Sequence, residues 1–202
     1  MTLIAVTKTV DVDIINEAIH LGISNIGENK VQELEWKMDA IGDNVNYHMI
    51  GHLQTNKVKY IIDRVKLIHS LDRMSLVKEL NKRAKLKDLV IDTLIQVNVS
   101  QEDTKSGLEV SQVLPFIEKV LEYENIRIRG LMTMAPHTDD EIVLRKVFRT
   151  MVKLQEDIKT YNYKNLFMDY LSMGMTNDYE IAVEEGSNMV RVGSALFGDR
   201  NY

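Results

Sequence analysis

The stretch LIAVTK, residues 3–8, is four apolar positions, a threonine and a lysine. Its Ile4 and Val6 favour extended backbone, and an unbroken apolar run reads as a strand covered on both faces. The strand ends in Lys8, a side chain that ordinarily marks a strand's exit to solvent. A reactive amine pointing into a pocket is the competing reading, and the rest of the chain decides between them.

Working outward, strand patterns recur near 23–26, 46–50, 66–70, 91–99, 127–134, 167–173 and 189–193. Helix-period stripes lie between them. Ile14, Ile15, Ala18 and Ile19 form one, with Asp11 as expected N-cap and Gly22 as stop. Val31, Leu34, Met38 and Ile41 form the next, ended by Gly42. Val58, Ile61, Ile62 and Val65 follow, then Leu76, Val77, Leu80 and Ala84 behind Asp72. Val110, Val113, Leu114, Ile117, Val120 and Leu121 keep the 3–4 spacing. Leu144, Val147, Met151, Leu154 and Ile158 do so after a Thr138–Glu141 capping box. A short helix is expected over 178–185.

Eight strands alternating with seven helical segments predict a single (β/α)8 TIM-type barrel over residues 1–202, with an open doubly wound sheet as the competing arrangement. The count has one defect: the chain stops at Tyr202, too soon after strand eight for an eighth full helix.

Composition narrows the function. A chain of 202 residues that is 45% hydrophobic can bury a substantial core. Two prolines and ten glycines leave no linker-like stretch. A formal charge of −5 argues against a broad nucleic-acid or acidic-membrane surface, so an anionic ligand would need a local cluster of donors. The absence of cysteine excludes disulfides and thiolate chemistry and fits a cytoplasmic location. No apolar run resembles a signal peptide or approaches membrane-spanning length.

In a barrel, chemistry gathers where strands end and loops begin. These ends carry Lys8, Gly27-Glu28-Asn29, His48 followed by GHLQTNK (51–57), His69-Ser70, Asn98, Thr133, Ser172-Met173-Gly174, and Arg191 with Gly193-Ser194. Capping accounts for Thr55, Asp72, Thr138 and Asn177. It accounts less well for Lys8, Asn98 and Arg191, which adjoin or interrupt apolar runs. The small residues at 193–194 let backbone N–H groups approach an anion, at a place where many barrels hold phosphate; a plain tight turn reads equally well. A lysine opposite a phosphate site is what a phosphorylated aldehyde cofactor requires, because the amine forms a Schiff base while the phosphate anchors the far end.

LIAVTK, GENKVQE, HMIGHLQTNKVK, HSLD, IQVNVSQEDTKSG, IRGLMTMAP, LSMGMTNDYEIAVEEGSNMVRVG and ALFGDR together resemble the pyridoxal phosphate homeostasis proteins. Those are barrels that bind pyridoxal 5'-phosphate (PLP), related to the N-terminal domain of alanine racemase. The resemblance runs over nearly the whole chain. It implies that Lys8 carries PLP as a Schiff base, that Asn29 lines the cofactor, and that Ser172, Gly193 and Ser194 bind its phosphate. It also implies that Arg191 faces the pyridine nitrogen. A guanidinium is only a donor, so it would keep that nitrogen unprotonated and the ring a weak electron sink. His48, His52, Gln54 and Asn56 lie in the central motif with no chemical step assigned, and periodicity favours His48 as a satisfied core histidine. Met132, Met134, Met173 and Met175 read as soft packing around the site. No spacing makes a metal site. Members of the family usually carry a helix before strand one, and this sequence begins without it, an expected weakness in stability more than in cofactor binding.

The resemblance implies a non-enzymatic protein that buffers, protects or delivers PLP, with PLP-dependent apo-enzymes as partners and a monomer expected rather than a dimer. The alternative is a PLP-dependent amino-acid racemase. Racemisation needs acid–base groups on both faces of the carbanion; Tyr47 and Tyr170 are the nearest tyrosines, and their apolar neighbours favour packing. A cofactor-free lysine aldolase leaves the anion-binding positions unexplained.

Overall fold

The computed structural model describes residues 1–100, 106–161 and 163–198. Its elements alternate: β1 (Thr2–Val6), α1 (Val12–His20), β2 (Asn25–Glu28), α2 (Val31–Ile41), β3 (Asn46–Met49), a 3-10 turn (Thr55–Tyr60), β4 (Val65–Leu71), α3 (Met74–Leu86), β5 (Ile91–Val97), α4 (Val110–Val120), β6 (Ile126–Thr133), α5 (Glu141–Lys159), β7 (Leu166–Ser172), α6 (Tyr179–Glu184), β8 (Met189–Val192) and α7 (Ser194–Phe197). The strands close into a parallel barrel in chain order, and β8 returns to β1. The barrel arrangement therefore holds and the open sheet does not.

Strand alternation sorts the apolar residues into two cores. One faces the helices and takes in Ala5, Ile26, Leu34, Met38, Val77 and Phe148. The other fills the barrel interior with Ile4, Ile50, Leu67, Leu94, Met132 and Met189. Each fully buried aliphatic side chain contributes roughly 1.5–3 kcal/mol relative to exposure. At β6, Gly130 has φ +150°, and a Cβ there would lie 1.9 Å from Tyr170 O. Only glycine lets β6 and β7 approach so closely.

Three expectations of local structure are corrected. The stripe Val58–Val65 forms no α-helix: Val58, Ile61 and Ile62 are buried as expected, but Val65 already begins β4, so the crossover closes as a 3-10 turn. Asp140, not Thr138, caps α5; its carboxylate accepts from the N–H groups of Ile142 and Val143, while Thr138 Oγ1 accepts from Asp140 N. The N-cap of α3 is Arg73 rather than Asp72. Asp11 does precede α1, without a side-chain capping bond. Among the described residues, no helix is long and apolar enough to cross a membrane.

Barrel register positions the site. Ile4 pairs with Arg191 and Ala5 with both Val192 and Ile26, so β1, β2 and β8 end together at one mouth.

Candidate functional site

A pocket of about 270 Å³ opens at that mouth. Lys8 and Asn29 line one part, Arg191, Gly193 and Ser194 another, with Thr176 and Asp178 from the loop after β7 and residues 134–139 after β6. Five of the six expected site residues therefore share one cavity. Asn29 is set by a close backbone approach: a Cβ on Gly51 would lie 2.3 Å from Asn29 O, so the loops after β2 and β3 can meet only through glycine.

The sixth, Ser172, lies behind Arg191 rather than on the pocket wall. Its Oγ accepts from an Arg191 guanidinium N–H at 2.6 Å, and both residues are buried. Thr176 takes a place on the wall instead, and its Oγ1 accepts from Gly193 N at 3.3 Å. Two hydroxyl residues stand four apart in LSMGMT, and the sequence alone does not tell which one the turn at Gly174, with φ +97°, turns toward the pocket.

Arg191 also donates to Thr133 O at 2.8 Å. Burial pulls its pKa down to about 10, opposed by the Asp178 carboxylate, so it remains a cation at neutral pH. A buried cation whose side chain donates to a hydroxyl and a carbonyl keeps most of its field for the pocket.

Lys8 sits half-buried in the turn after β1, and a buried ionic cluster holds the backbone on either side of it. Lys37 Nζ, fully buried on α2, donates to Thr7 O at 2.6 Å, to Glu28 Oε1 at 2.6 Å and to Glu33 Oε1 at 2.8 Å. Glu33 Oε1 in turn accepts from Thr9 N, and Thr7 Oγ1 donates to Glu28. Thr9 has φ 65°, a left-handed conformation that this clamp maintains. Burial raises the Glu28 pKa, against the hydrogen bonds and charge of Lys37.

Beneath Arg191, His69 Nδ1 is 3.2 Å from Ser172 Oγ, His69 Nε2 is 3.0 Å from His48 Nδ1, and His48 Nε2 is 3.1 Å from Asn25 Oδ1. His48 is thus a hydrogen-bonded interior residue. Burial, with the Lys66 charge second, pushes its pKa down to about 3. His69 is held well below its ordinary value by burial, then by His48 and Arg191. Between pH 6.5 and 3 the unfolded chain binds protons at His48 that the folded chain refuses, so stability falls as pH falls. His48 alone should remove about 1 kcal/mol between pH 7 and 5.5, with His69 acting in the same direction. Urea unfolding at the two pH values, with wild type compared with His48→Asn, checks this; an equal acid loss in both would contradict it.

The remaining motif residues separate. His52 and Gln54 line a second hollow of about 210 Å³ with Lys30 and Lys57, while Asn56 is exposed outside it. Asn98 is in neither pocket. Met134 and Met175 line the main pocket, Met132 packs in the barrel interior, and Met173 faces the helices, so the methionines do not act as one layer. Tyr47 is buried and donates to Gly42 O, and Tyr170 lines the opposite mouth beside Arg129; neither stands at Lys8.

A family profile described as the alanine racemase N-terminal domain matches residues 1–201. The pyridoxal phosphate homeostasis protein of Aquifex aeolicus is 42% identical over 201 residues, spanning 99% of this chain and 87% of that one. That of Haemophilus influenzae is 36% identical over 203 residues, spanning 99% and 85%. The solved structure of PipY from Synechococcus elongatus PCC7942, with PLP bound, superposes with a TM-score of 0.86 at 29% identity, covering 98% of this chain and 92% of PipY.

Proposed function

This chain belongs to the alanine racemase N-terminal-domain family, among the pyridoxal phosphate homeostasis proteins, and we propose that it binds PLP at the barrel mouth and serves to buffer, protect or deliver it. The observation that carries this reading is one pocket holding a lysine, a buried arginine cation and the Gly193–Ser194 turn. PLP supplies an aldehyde that condenses with a primary amine and a ring that withdraws electrons. Lys8 Nζ would supply that primary amine. Gly193 and Ser194, with Thr176 in place of Ser172, would hold the phosphate. Arg191 would donate toward the ring nitrogen and Asn29 would bound the ring. The chain would act as a cytoplasmic monomer that hands the cofactor to PLP-dependent apo-enzymes.

The anchor is tested by Ser194→Asp. Two like charges about 4 Å apart at intermediate dielectric repel by about 4 kcal/mol. Binding of PLP should weaken by more than about a hundredfold, while binding of unphosphorylated pyridoxal stays within about threefold. Equal losses for both ligands would place the phosphate elsewhere.

The carrier reading is preferred over a racemase because the relatives 42% and 36% identical to this chain over nearly its whole length are named homeostasis proteins. Holoprotein incubated with L-alanine in heavy water should show at most slow deuterium entry at Cα and no D-alanine. Turnover near about 10 per second, the ordinary enzyme scale, with loss of D-alanine formation in Lys8→Ala, would make the chain a racemase.

A further inference from the structure

A hydrogen-bonded column crosses the barrel interior and takes one residue from each of five strands: Arg191 on β8, Ser172 on β7, His69 on β4, His48 on β3 and Asn25 on β2. It runs from the pocket floor toward the opposite mouth, where Asn25 and His48 line a separate hollow.

The two ends fix the proton order. Arg191 can only donate, and Asn25 Oδ1 can only accept. Ser172 Oγ receives an Arg191 N–H on one of its two lone pairs, and with the His69 proton on Nε2 its own proton goes to the bare Nδ1. His69 then carries its proton on Nε2 and donates to His48 Nδ1, and His48 carries its proton on Nε2 and donates to Asn25. The reverse order would set the His48 Nε2 lone pair against Asn25 Oδ1 and leave the Ser172 proton without an acceptor. A second N–H proton on either ring would break a link. Asn46 Nδ2, which also donates to Asn25 Oδ1 at 3.2 Å, holds that acceptor in place. Chains ordered in one direction strengthen each member, so Ser172 Oγ becomes a better acceptor for the guanidinium than an isolated hydroxyl. Arg191 is thereby held without a hydrogen-bonded carboxylate that would cancel its charge.

We propose that His69 and His48 are positioning residues for the cofactor pocket: through Ser172 they orient the Arg191 guanidinium so that its remaining N–H groups serve the ligand. This rests on the PLP reading above, and the test separates the two.

In the unliganded, 15N-labelled full chain, long-range imidazole spectra should show both rings neutral with the proton on Nε2. A proton on Nδ1 of either ring, or a charged ring at pH 7, overturns the column. This measurement stands whether or not any variant folds. PLP labelled with 15N in its ring is then added to wild type, His69→Leu and His69→Gln. Glutamine keeps one acceptor and one donor; leucine keeps neither. His69→Leu should bind PLP about tenfold more weakly, the loss of one hydrogen bond to a charged group, with a displaced ring-nitrogen signal. His69→Gln should stay within about twofold, with the wild-type signal. A folded His69→Leu with unchanged affinity and ring-nitrogen signal would overturn the proposal, as would His69→Gln behaving like leucine. Failure of wild type to bind PLP would instead remove the functional reading and leave the ring tautomers to decide the column.

Discussion

Lys8→Ala is expected to abolish the borohydride-stable adduct with PLP while leaving weak, reversible binding of the phosphorylated ligand. Two contributions to the hold are separable. The covalent one resides in a single primary amine at the end of β1, and alanine removes it outright. The non-covalent one resides in Gly193, Ser194 and Arg191 on β8 and the turn after it, which the substitution leaves in place. Equilibrium dialysis should therefore find residual binding that inorganic phosphate displaces, and borohydride should fix no cofactor to the variant. Lys57 is the rival amine. It lies on the 3-10 turn, against the Tyr60 ring, and lines the second hollow rather than the main pocket. Lys105, the other rival, lies outside the described residues. A reduced adduct that survives Lys8→Ala would contradict the assignment.

Lys37→Met should destabilise the fold by about 3–5 kcal/mol, the range for removing one partner of a buried ion pair. Methionine matches the length of the lysine stem but leaves Glu28 fully buried without its ammonium, and Thr7 O keeps only the Val10 N–H. Thr7 Oγ1 still donates to Glu28 Oε1, but Oε2 has no hydrogen bond among the described residues, so one neutral donor would be left on a buried carboxylate. The loss should shrink as pH falls, because burial raises the Glu28 pKa and a protonated carboxyl needs no counter-charge. Urea unfolding at pH 8 and pH 5.5 measures both the size and the sign. A loss under about 1 kcal/mol at pH 8, or one that grows toward acid, would mean the cluster does not hold the Lys8 turn.

Lys37 also shows what the sequence did and did not disclose. It stands three residues after Leu34 and four before Ile41, on the apolar stripe of α2, and four after Glu33. That placement was a readable signal of a buried cation with a carboxylate partner. The strand and helix count was legible because periods of 2 and 3.6 are local properties of the chain. The third crossover misled because its apolar spacing reports burial whether the backbone closes as α-helix or as a 3-10 turn. Ser172 and Thr176 could not be told apart from their shared motif, since a single glycine turn decides which hydroxyl faces the cavity. The His69–His48 contact joins residues 21 apart, and its meaning depends on Ser172, a further 103 residues along. No local pattern encodes such a column; it exists only once β2, β3, β4, β7 and β8 close around one axis.

The account stands most directly on where the cofactor is attached. Wild-type chain saturated with PLP, reduced with borohydride and digested should yield one modified peptide, the one containing Lys8, on tandem mass spectrometry. Modification centred on Lys57 or any other lysine, or no modified peptide from a saturated sample, would contradict it.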